Sequence, residues 1–561
     1  FKRAPRQAHA MPKRAILTSA LPYANGEIHL GHVASTYLPA DVTARHLRQR
    51  GVEAHYVCAT DDYGTPILIQ SEREGKTPPE YVAGWNRRDA EDFESLDIRF
   101  DAFSSTSSEA CSEFVRGVYE RLREAGHIYE KEVVQPYCER DAMFLPDRYV
   151  HGTCPHCGAV DQYSDLCESC GKVPDSILDP KCAICGEAPQ NRSTTHHFFA
   201  LSHFAPQLRE WLEGSVGLQR DVKRYVLGWI TQGLSDWDIT RDITWGVRIP
   251  GDEGRVFYGW FDNHLAYISA TLEMLGERGI DGKEFWNSAD IYHFIGKDIV
   301  YHHYLFLPAV RMGLGGEFKL PDRMPVRGHL TLAGKKISKS RGHYISIRDF
   351  LSRYPADYLR FYLLLATPYS QDDLNFDWDD FALRINKELV GNVGNFVNRA
   401  LSFAHRSFGG RVPACGAESG EDEAARARIG ALAGEVGSLA GEGHLDRALK
   451  GILAFSAHFN QYFQHCEPWK GGEGAATCVH LSANAVGSLA IALCAFVPSS
   501  AQRMWEQLGE AGSVGAQPWE AASEVRIGAG HAVGRPGALF ARVDAGEIEA
   551  LKGSLGVGSG A

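Results

Sequence analysis

Ala15-Ile16-Leu17-Thr18-Ser19-Ala20 is a short apolar run with β-branched members, closed by Pro22 and the Asn25-Gly26 turn, and it predicts a buried first strand. From His29 to Arg50 the apolar positions recur with helical period until Gly51 stops them. Ala54-His55-Tyr56-Val57-Cys58-Ala59 then predicts a second strand that ends at Asp61-Asp62. Strand, turn, helix and strand in that succession make a βαβ unit and imply a parallel sheet. Between Tyr129 and Arg192 the pattern fades into Gly, Pro and Cys, as in a small insertion with no core of its own. Sheet-like segments resume at Val256-Phe257-Tyr258 and Ile291-Tyr292-His293-Phe294-Ile295. Beyond Asp379 the period is helical almost throughout, with Gly- and Ala-rich stretches and no fixed repeat, and the Gly/Ser-rich residues after Leu555 read as a frayed tail.

A chain of 561 residues is too long for one core and should divide into roughly three or four domains. Hydrophobic residues at 44% and charged residues at 23% are ordinary for a globular protein. The formal charge of −12 excludes a protein coated in basic surface but leaves room for a local basic stripe that binds phosphates. No secretory leader is evident, and no apolar run is expected to reach the ~20 residues of a membrane span. Of 13 cysteines, six fall in three CxxC pairs between Cys154 and Cys185. Without an export signal such pairs read as metal ligands and not disulfides, which points to the cytosol. The basic opening FKRAPRQAHA precedes Met11 and is taken as a tag remnant, a linker from a lost upstream domain or, less readily, a short transit peptide.

Two segments carry phosphate chemistry. His29-Leu30-Gly31-His32 follows a strand and opens a helix, so Gly31 lets backbone approach a phosphate while two imidazoles donate to its oxygens. Four residues recur by chance, and alone they would read as surface or core histidines. Lys336-Ile337-Ser338-Lys339-Ser340, between Gly334-Lys335 and Arg341-Gly342, suits a mobile loop that brings ammonium groups onto a polyphosphate; alone it would be a solvated basic loop. A third constellation is Cys154-x2-Cys157 with Cys167-x2-Cys170, nine residues between the pairs. Two such knuckles make a closed tetrahedral zinc site, which stabilises a coreless segment and has no open position for catalysis. Cys182 and Cys185 either close a second site with Cys138 and Asp141, whose spacing matches, or remain as unmetallated thiols.

In this order, HLGH and KISKS resemble the paired signatures of class I aminoacyl-tRNA synthetases. Ala20-Leu21-Pro22-Tyr23-Ala24-Asn25-Gly26, Phe144-Leu145-Pro146-Asp147-Arg148 and His293-Phe294-Ile295-Gly296-Lys297-Asp298 narrow the resemblance to methionyl-tRNA synthetases, over about residues 13 to 500. The resemblance implies an α/β fold: a Rossmann-like parallel-sheet catalytic domain with a zinc-knuckle insertion, followed by an all-α helical bundle. The expected division is a leader at 1–12, the catalytic domain in two parts at 13–128 and 246–327, and the insertion at 129–245. A mobile-loop stem-contact region follows at 328–378 and a helical anticodon-binding-like domain at 379–561.

Carried onto these positions, the resemblance implies that His29, Gly31, His32, Gly296, Asp298, Lys336 and Lys339 hold ATP, used with Mg2+. His29, His32, Lys336 and Lys339 would also stabilise the transition state. Asp61 would receive the substrate's α-ammonium as a charge-assisted pair. Leu21, Tyr23, Trp260, Tyr267, Ile299 and His303 would wall the amino-acid pocket, although Trp260 and Ile299 would also suit ordinary core packing. Asn395 and Arg399, at i and i+4 on one helix face, would read the tRNA anticodon with Trp469; the alternative is a polar helix face with a core tryptophan. A monomer is expected, with no membrane partner.

The match breaks after Trp260-Phe261-Asp262, where the family has Ala-Pro and this chain has Asn263-His264. His302 precedes His303 where the family has an aromatic residue or proline, Leu307 replaces a large aromatic, and Val326-Arg327-Gly328-His329 also departs from the pattern. Asn263, His264 and His302 are therefore expected to bring polar groups into a pocket that should grip a thioether. The leading reading is a methionine–tRNA ligase. The alternative is a paralogue that activates a more polar amino acid, like the synthetase half of hydrazine synthetases. A non-catalytic tRNA-binding protein is disfavoured because both ATP motifs are complete.

Overall fold

The computed structural model describes residues 12–146, 149–164, 167, 169, 176–337, 343–472 and 474–557. Cys170, Asp147, Arg148, Lys339, the leader through Met11 and the end of the Gly/Ser-rich tail lie outside the described residues.

The first strand, Arg14–Ser19, is buried at five of its six positions, as a central strand covered on both faces should be. It pairs in parallel with Glu53–Thr60 on one side and Asp290–Gly296 on the other. Ala102–Ser105 and Val326–Arg327 complete a five-stranded parallel sheet at its two edges. The chain builds outward from the first strand in one direction, then returns to build on its other side. The crevice beyond the carboxyl ends of Arg14–Ser19 and Asp290–Gly296 is thus the topological switch point, where open α/β sheets bind ligands.

The helical period read from His29 corresponds to Leu30–His32, a π-helical stretch Val33–Tyr37 and the helix Leu38–Gln49. Within it Asp41 is buried and meets Arg360 at 2.7 Å. Burial pushes the Asp41 carboxyl up, but Arg45 and Arg360 together hold it below its ordinary value. Arg360 also donates to the carbonyls of Leu96, Ala495 and Phe496, tying the helical half to the sheet half through one fully buried guanidinium. One apolar cluster runs from Leu17 and Tyr56 through Phe361 to Leu489 and Trp505.

The insertion is more regular than its sequence suggests. Ile128–Cys138 and Gln190–Phe199 form a long antiparallel ribbon, flanked by Met143–Phe144 and Trp237–Asp238. A second small sheet joins Gln162–Tyr163, Val150–Thr153 and Leu178–Cys182. Much of the ribbon faces water, so its alternation is not one of apolar with polar residues.

Beyond Asp379 the chain is mainly helical, led by Asn395–Ser407, Gly420–Gly441, Leu445–Cys466, Gly474–Leu493 and Pro498–Leu508. One expectation is corrected here. Gly474–Leu493, at 20 residues, is long and apolar enough to cross a membrane, although no such run was expected. In its most apolar 18-residue window 94% of the residues are buried inside the helical bundle, and that burial explains its composition.

Candidate active site and zinc knuckles

The two phosphate-type segments meet at the switch point. A Cβ on Gly31 would lie 3.2 Å from Ile337 Cδ1 and 3.1 Å from the His29 ring, so the KISKS residue sits directly over the bare backbone of HLGH. The far root of the loop is stitched to the same helix start: Leu30 N–H donates to Ile345 O at 3.2 Å, and Ile347 N–H to Ile28 O at 3.2 Å. The Tyr344 hydroxyl donates to Glu27, which Arg88 also pairs. His29 and His32 stack with ring centroids 3.7 Å apart, and the His29 backbone N–H donates to His32 Nδ1 at 3.3 Å. With Nδ1 accepting, the neutral His32 ring carries its proton on Nε2. Lys336 lies on the two-residue strand Lys335–Lys336, opposite Thr331.

Asp298 follows the Asp290–Gly296 strand and is half exposed, its Oδ1 3.1 Å from His329 Nε2. A Cβ at Gly296 would lie 2.5 Å from that same oxygen, so a side chain there would have to displace the Asp298 carboxylate. His329 comes from the Val326–His329 segment whose departure the sequence left unexplained. Gly328 is required there as well, since a Cβ would fall 2.1 Å from Asp372 O, while buried Arg327 reaches Gly443 O at 3.3 Å.

Asp61 ends the Glu53–Thr60 strand and is fastened to the Leu21–Tyr23 segment, with Asp61 N–H donating to Pro22 O at 2.8 Å and Ala24 N–H to Asp61 O at 2.9 Å. Its Oδ2 accepts from Asn263 Nδ2 at 2.9 Å, and its buried Oδ1 has no hydrogen-bond partner. Burial and then the Asp62 charge push the Asp61 carboxyl up to about 7, against the donors Asn263 and the Tyr63 backbone. The tyrosine predicted as a pocket wall, Tyr23, rests on Gly64, where a Cβ would lie 2.7 Å from its hydroxyl.

The remaining pocket residues lie between the helix Gly259–Glu277 and the π-helical His302–Phe306. Tyr267 shares a hydrogen bond with His303 Nε2 at 3.0 Å, and His303 Nδ1 donates to Ile299 O at 3.0 Å. Trp260 stacks on His302 at 4.0 Å and 8°. Leu21 packs where three apolar clusters meet, and Leu307 lies with Tyr267 in one of them. One expectation needs correction: Asn263 does not carry its amide to the side-chain pocket but uses it on Asp61. His302 presents a ring face to Trp260, whereas His264 is left without a partner.

Two sulfur clusters lie in the insertion. Cys154, Cys157 and Cys167 place their ligand atoms within 4.8 Å of one another. Cys157 Sγ and Cys167 Sγ are 3.7 Å apart, close to the ~3.8 Å edge that Zn–S bonds of ~2.3 Å impose on a tetrahedron. Cys138, Asp141, Cys182 and Cys185 converge equally closely. Their turns point backbone N–H groups at sulfur, from Asp141 to Cys138 Sγ and from Ile184 to Cys182 Sγ, each at 3.4 Å. Such donors stabilise thiolates, so this donor set fits a zinc ion.

In the helical half, Arg399 reaches over Trp469 at 5.8 Å and Phe463 at 5.2 Å. Asn395 Nδ2 donates to Asn460 Oδ1 at 2.9 Å. Trp469 is 47% exposed, which removes the alternative of a core tryptophan. It borders a cavity of about 770 Å³ that Arg399, Arg406 and Phe463 also line. Arg406 was missed, though it lies at i+7 from Arg399 and so on the same helix face.

Residues 15–401 match the family model of class I tRNA synthetases (M), and residues 412–557 match the anticodon binding domain of methionyl tRNA ligase. This chain belongs to the methionyl-tRNA synthetase family. It is therefore a ligase of the class I aminoacyl-tRNA synthetase type. The methionine–tRNA ligase of Methanopyrus kandleri is 43% identical over 524 residues, covering 91% of this chain and 77% of that protein. That of Thermococcus kodakarensis is 38% identical over 559 residues, covering 95% and 74%. The structure of Mycobacterium tuberculosis methionyl-tRNA synthetase in complex with methionyl-adenylate superposes with a TM-score of 0.78 at 25% identity, covering 94% of this chain and 100% of that one.

Proposed function

We propose that this chain forms an aminoacyl adenylate from ATP and an amino acid, then passes the aminoacyl group to tRNA, the methionine–tRNA ligase reaction of its relatives. The packing of Ile337 on Gly31 carries the reading, because it joins the two phosphate-type segments at the switch point of the sheet. The substrate carboxylate attacks the α-phosphorus of Mg2+-bound ATP; an O–P bond forms, the bond to the β-phosphate oxygen breaks, and pyrophosphate leaves. His29, Gly31 and His32 hold phosphate oxygens, Gly296 and Asp298 take the ribose, and Lys336 and Lys339 meet the charge that develops in transfer. Ionised Asp61 receives the α-ammonium. Leu21, Tyr23, Trp260, Tyr267, Ile299 and His303 enclose the side chain.

Asn395, Arg399 and Trp469 read the anticodon, the indole as a stacking platform and the others as hydrogen-bond donors to base edges. Zinc on Cys154, Cys157, Cys167 and Cys170, and a second ion on Cys138, Asp141, Cys182 and Cys185, would cross-link an insertion that has little core. Thiol-rich knuckles suit a reducing compartment, which supports the cytosol as the setting. The test is ATP–pyrophosphate exchange driven by methionine and other amino acids, followed by charging of methionine tRNA. Exchange without any charging would leave adenylate formation standing and remove tRNA as acceptor.

A further inference from the structure

The segment Val326-Arg327-Gly328-His329 departs from the family pattern, and the structure gives its last residue a partner at the switch point. Val326 and Arg327 pair in parallel with Ile295 and Gly296 at the end of the Asp290–Gly296 strand. The chain then passes through Gly328 and brings His329 beside the bare backbone of Gly296. A Cβ built on Gly296 would meet Asp298 Oδ1 at 2.5 Å and His329 Nε2 at 3.9 Å. Across that glycine, His329 Nε2 lies 3.1 Å from Asp298 Oδ1. An ionised carboxylate can only accept, so the bond places the imidazole proton on Nε2.

Backbone bonds seat the histidine. His329 N–H donates to Asp373 Oδ1 at 2.8 Å, and Leu374 N–H donates to His329 O at 2.9 Å. Lys297 Nζ reaches the same Asp373 oxygen at 2.7 Å, which ties the residue next to Asp298 to the segment that clamps His329. The strand Leu330–Leu332 follows at once, between Leu374–Phe376 and Lys335–Lys336. His329 is therefore the fixed root of the hairpin that leads into the lysine loop. The Asp298 side chain, by contrast, is 61% exposed. Exposed side chains change rotamer within picoseconds to nanoseconds unless a neighbour fixes them.

We propose that His329 is a positioning residue for ATP: its imidazole holds the Asp298 carboxylate in the orientation that receives the ribose hydroxyls. The proposal rests on the reading of Asp298 as the ribose acceptor and adds what orients it. Both partners are partly solvated, so water screens the pair, and its loss should cost ATP affinity severalfold and not by orders of magnitude.

The experiment is ATP–pyrophosphate exchange on the full chain with ATP, 2′-deoxy-ATP and 3′-deoxy-ATP. It compares wild type with His329→Ala, His329→Gln, Asp298→Ala and the double variant of His329→Ala with Asp298→Ala. ATP affinity is measured alongside by calorimetry, so that the Asp298 variants are read even where exchange is slow. His329→Ala should raise the KM for ATP about two- to fivefold, with kcat and the KM for the amino acid little changed. His329→Gln, whose amide N–H can still donate to Asp298, should restore most of that loss. With the analogue that lacks the hydroxyl taken by Asp298, wild type and His329→Ala should share one KM. In the Asp298→Ala background, His329→Ala should weaken ATP binding no further. Should His329→Ala fail to fold, His329→Gln against His329→Leu, which has bulk but no donor, makes the same comparison. An unchanged KM for ATP, equal losses on ATP and both analogues, or no rescue by glutamine overturns the proposal while the ribose reading stands. Unchanged ATP affinity in Asp298→Ala overturns the ribose reading and the proposal with it.

Discussion

Replacing Asn263 by leucine removes the side-chain donor that meets Asp61 Oδ2 at 2.9 Å. A hydrogen bond to an ionised group contributes about 1.5–3 kcal/mol, and about 1.4 kcal/mol corresponds to one pKa unit. The Asp61 carboxyl, already near 7 because of burial and the Asp62 charge, should therefore rise by about one to two units in the variant. Receiving an α-ammonium requires the ionised form, which prevails above the folded pKa. In the wild type, kcat/KM for the amino acid should thus be flat above about 7 and fall tenfold per pH unit below it. In Asn263→Leu the break should move up by about one to two units, costing about five- to fiftyfold at pH ~7, where the wild type is itself half ionised, and recovering as the pH rises. Stability runs the opposite way. A carboxyl whose folded pKa is raised favours the fold fully below its ordinary value of 3.8, and that contribution is lost as pH rises through about 7. ATP–pyrophosphate exchange from acid to alkaline pH reads the break directly. A variant profile that breaks where the wild type does would refute the assignment of Asn263 to Asp61.

Lys339→Ala should cut adenylate formation by orders of magnitude while weakening ATP binding only slightly, because its charge is used when the α-phosphorus is pentavalent; equal losses in both would count against that role. Metal analysis should find two zinc ions per chain, and Cys157→Ser should release one without altering exchange; a chain free of zinc would exclude both knuckles. Trp469→Ala should weaken tRNA charging by about 1–3 kcal/mol, or roughly five- to 150-fold, and leave tRNA-independent exchange unchanged. A loss of exchange in that variant would place the indole in folding and not in recognition.

Signals that repeat along the chain were the legible ones. Arg14–Ser19, Glu53–Thr60 and Asp290–Gly296 were foreseen from apolar runs, because a strand buried on both faces must be apolar at nearly every position. The insertion's ribbon was not, since exposed apolar residues such as Tyr129 and Val134 hide the alternation. Gly474–Leu493 was underestimated because His480, Asn484 and several small residues dilute its hydropathy while leaving it buried. At the site, residue types named the chemistry, but hydrogen-bond partners separated three polar departures that had looked alike. Asn263 serves Asp61, His302 stacks on Trp260, and His264 alone has both ring nitrogens open.

The sequence by itself therefore determined the family, the α/β class, the order of the phosphate-binding segments and the pairing of cysteines into knuckles. Each depends on residue type and local spacing, which a turn, a helix start or a CxxC loop converts directly into geometry. Only the tertiary structure decided that Ile337 covers Gly31, that His329 reaches Asp298, and that Cys138 and Asp141 meet Cys182 and Cys185. Those contacts join segments far apart in the chain, and their distances are set by how sheet, insertion and helical bundle pack, a property that no local pattern encodes.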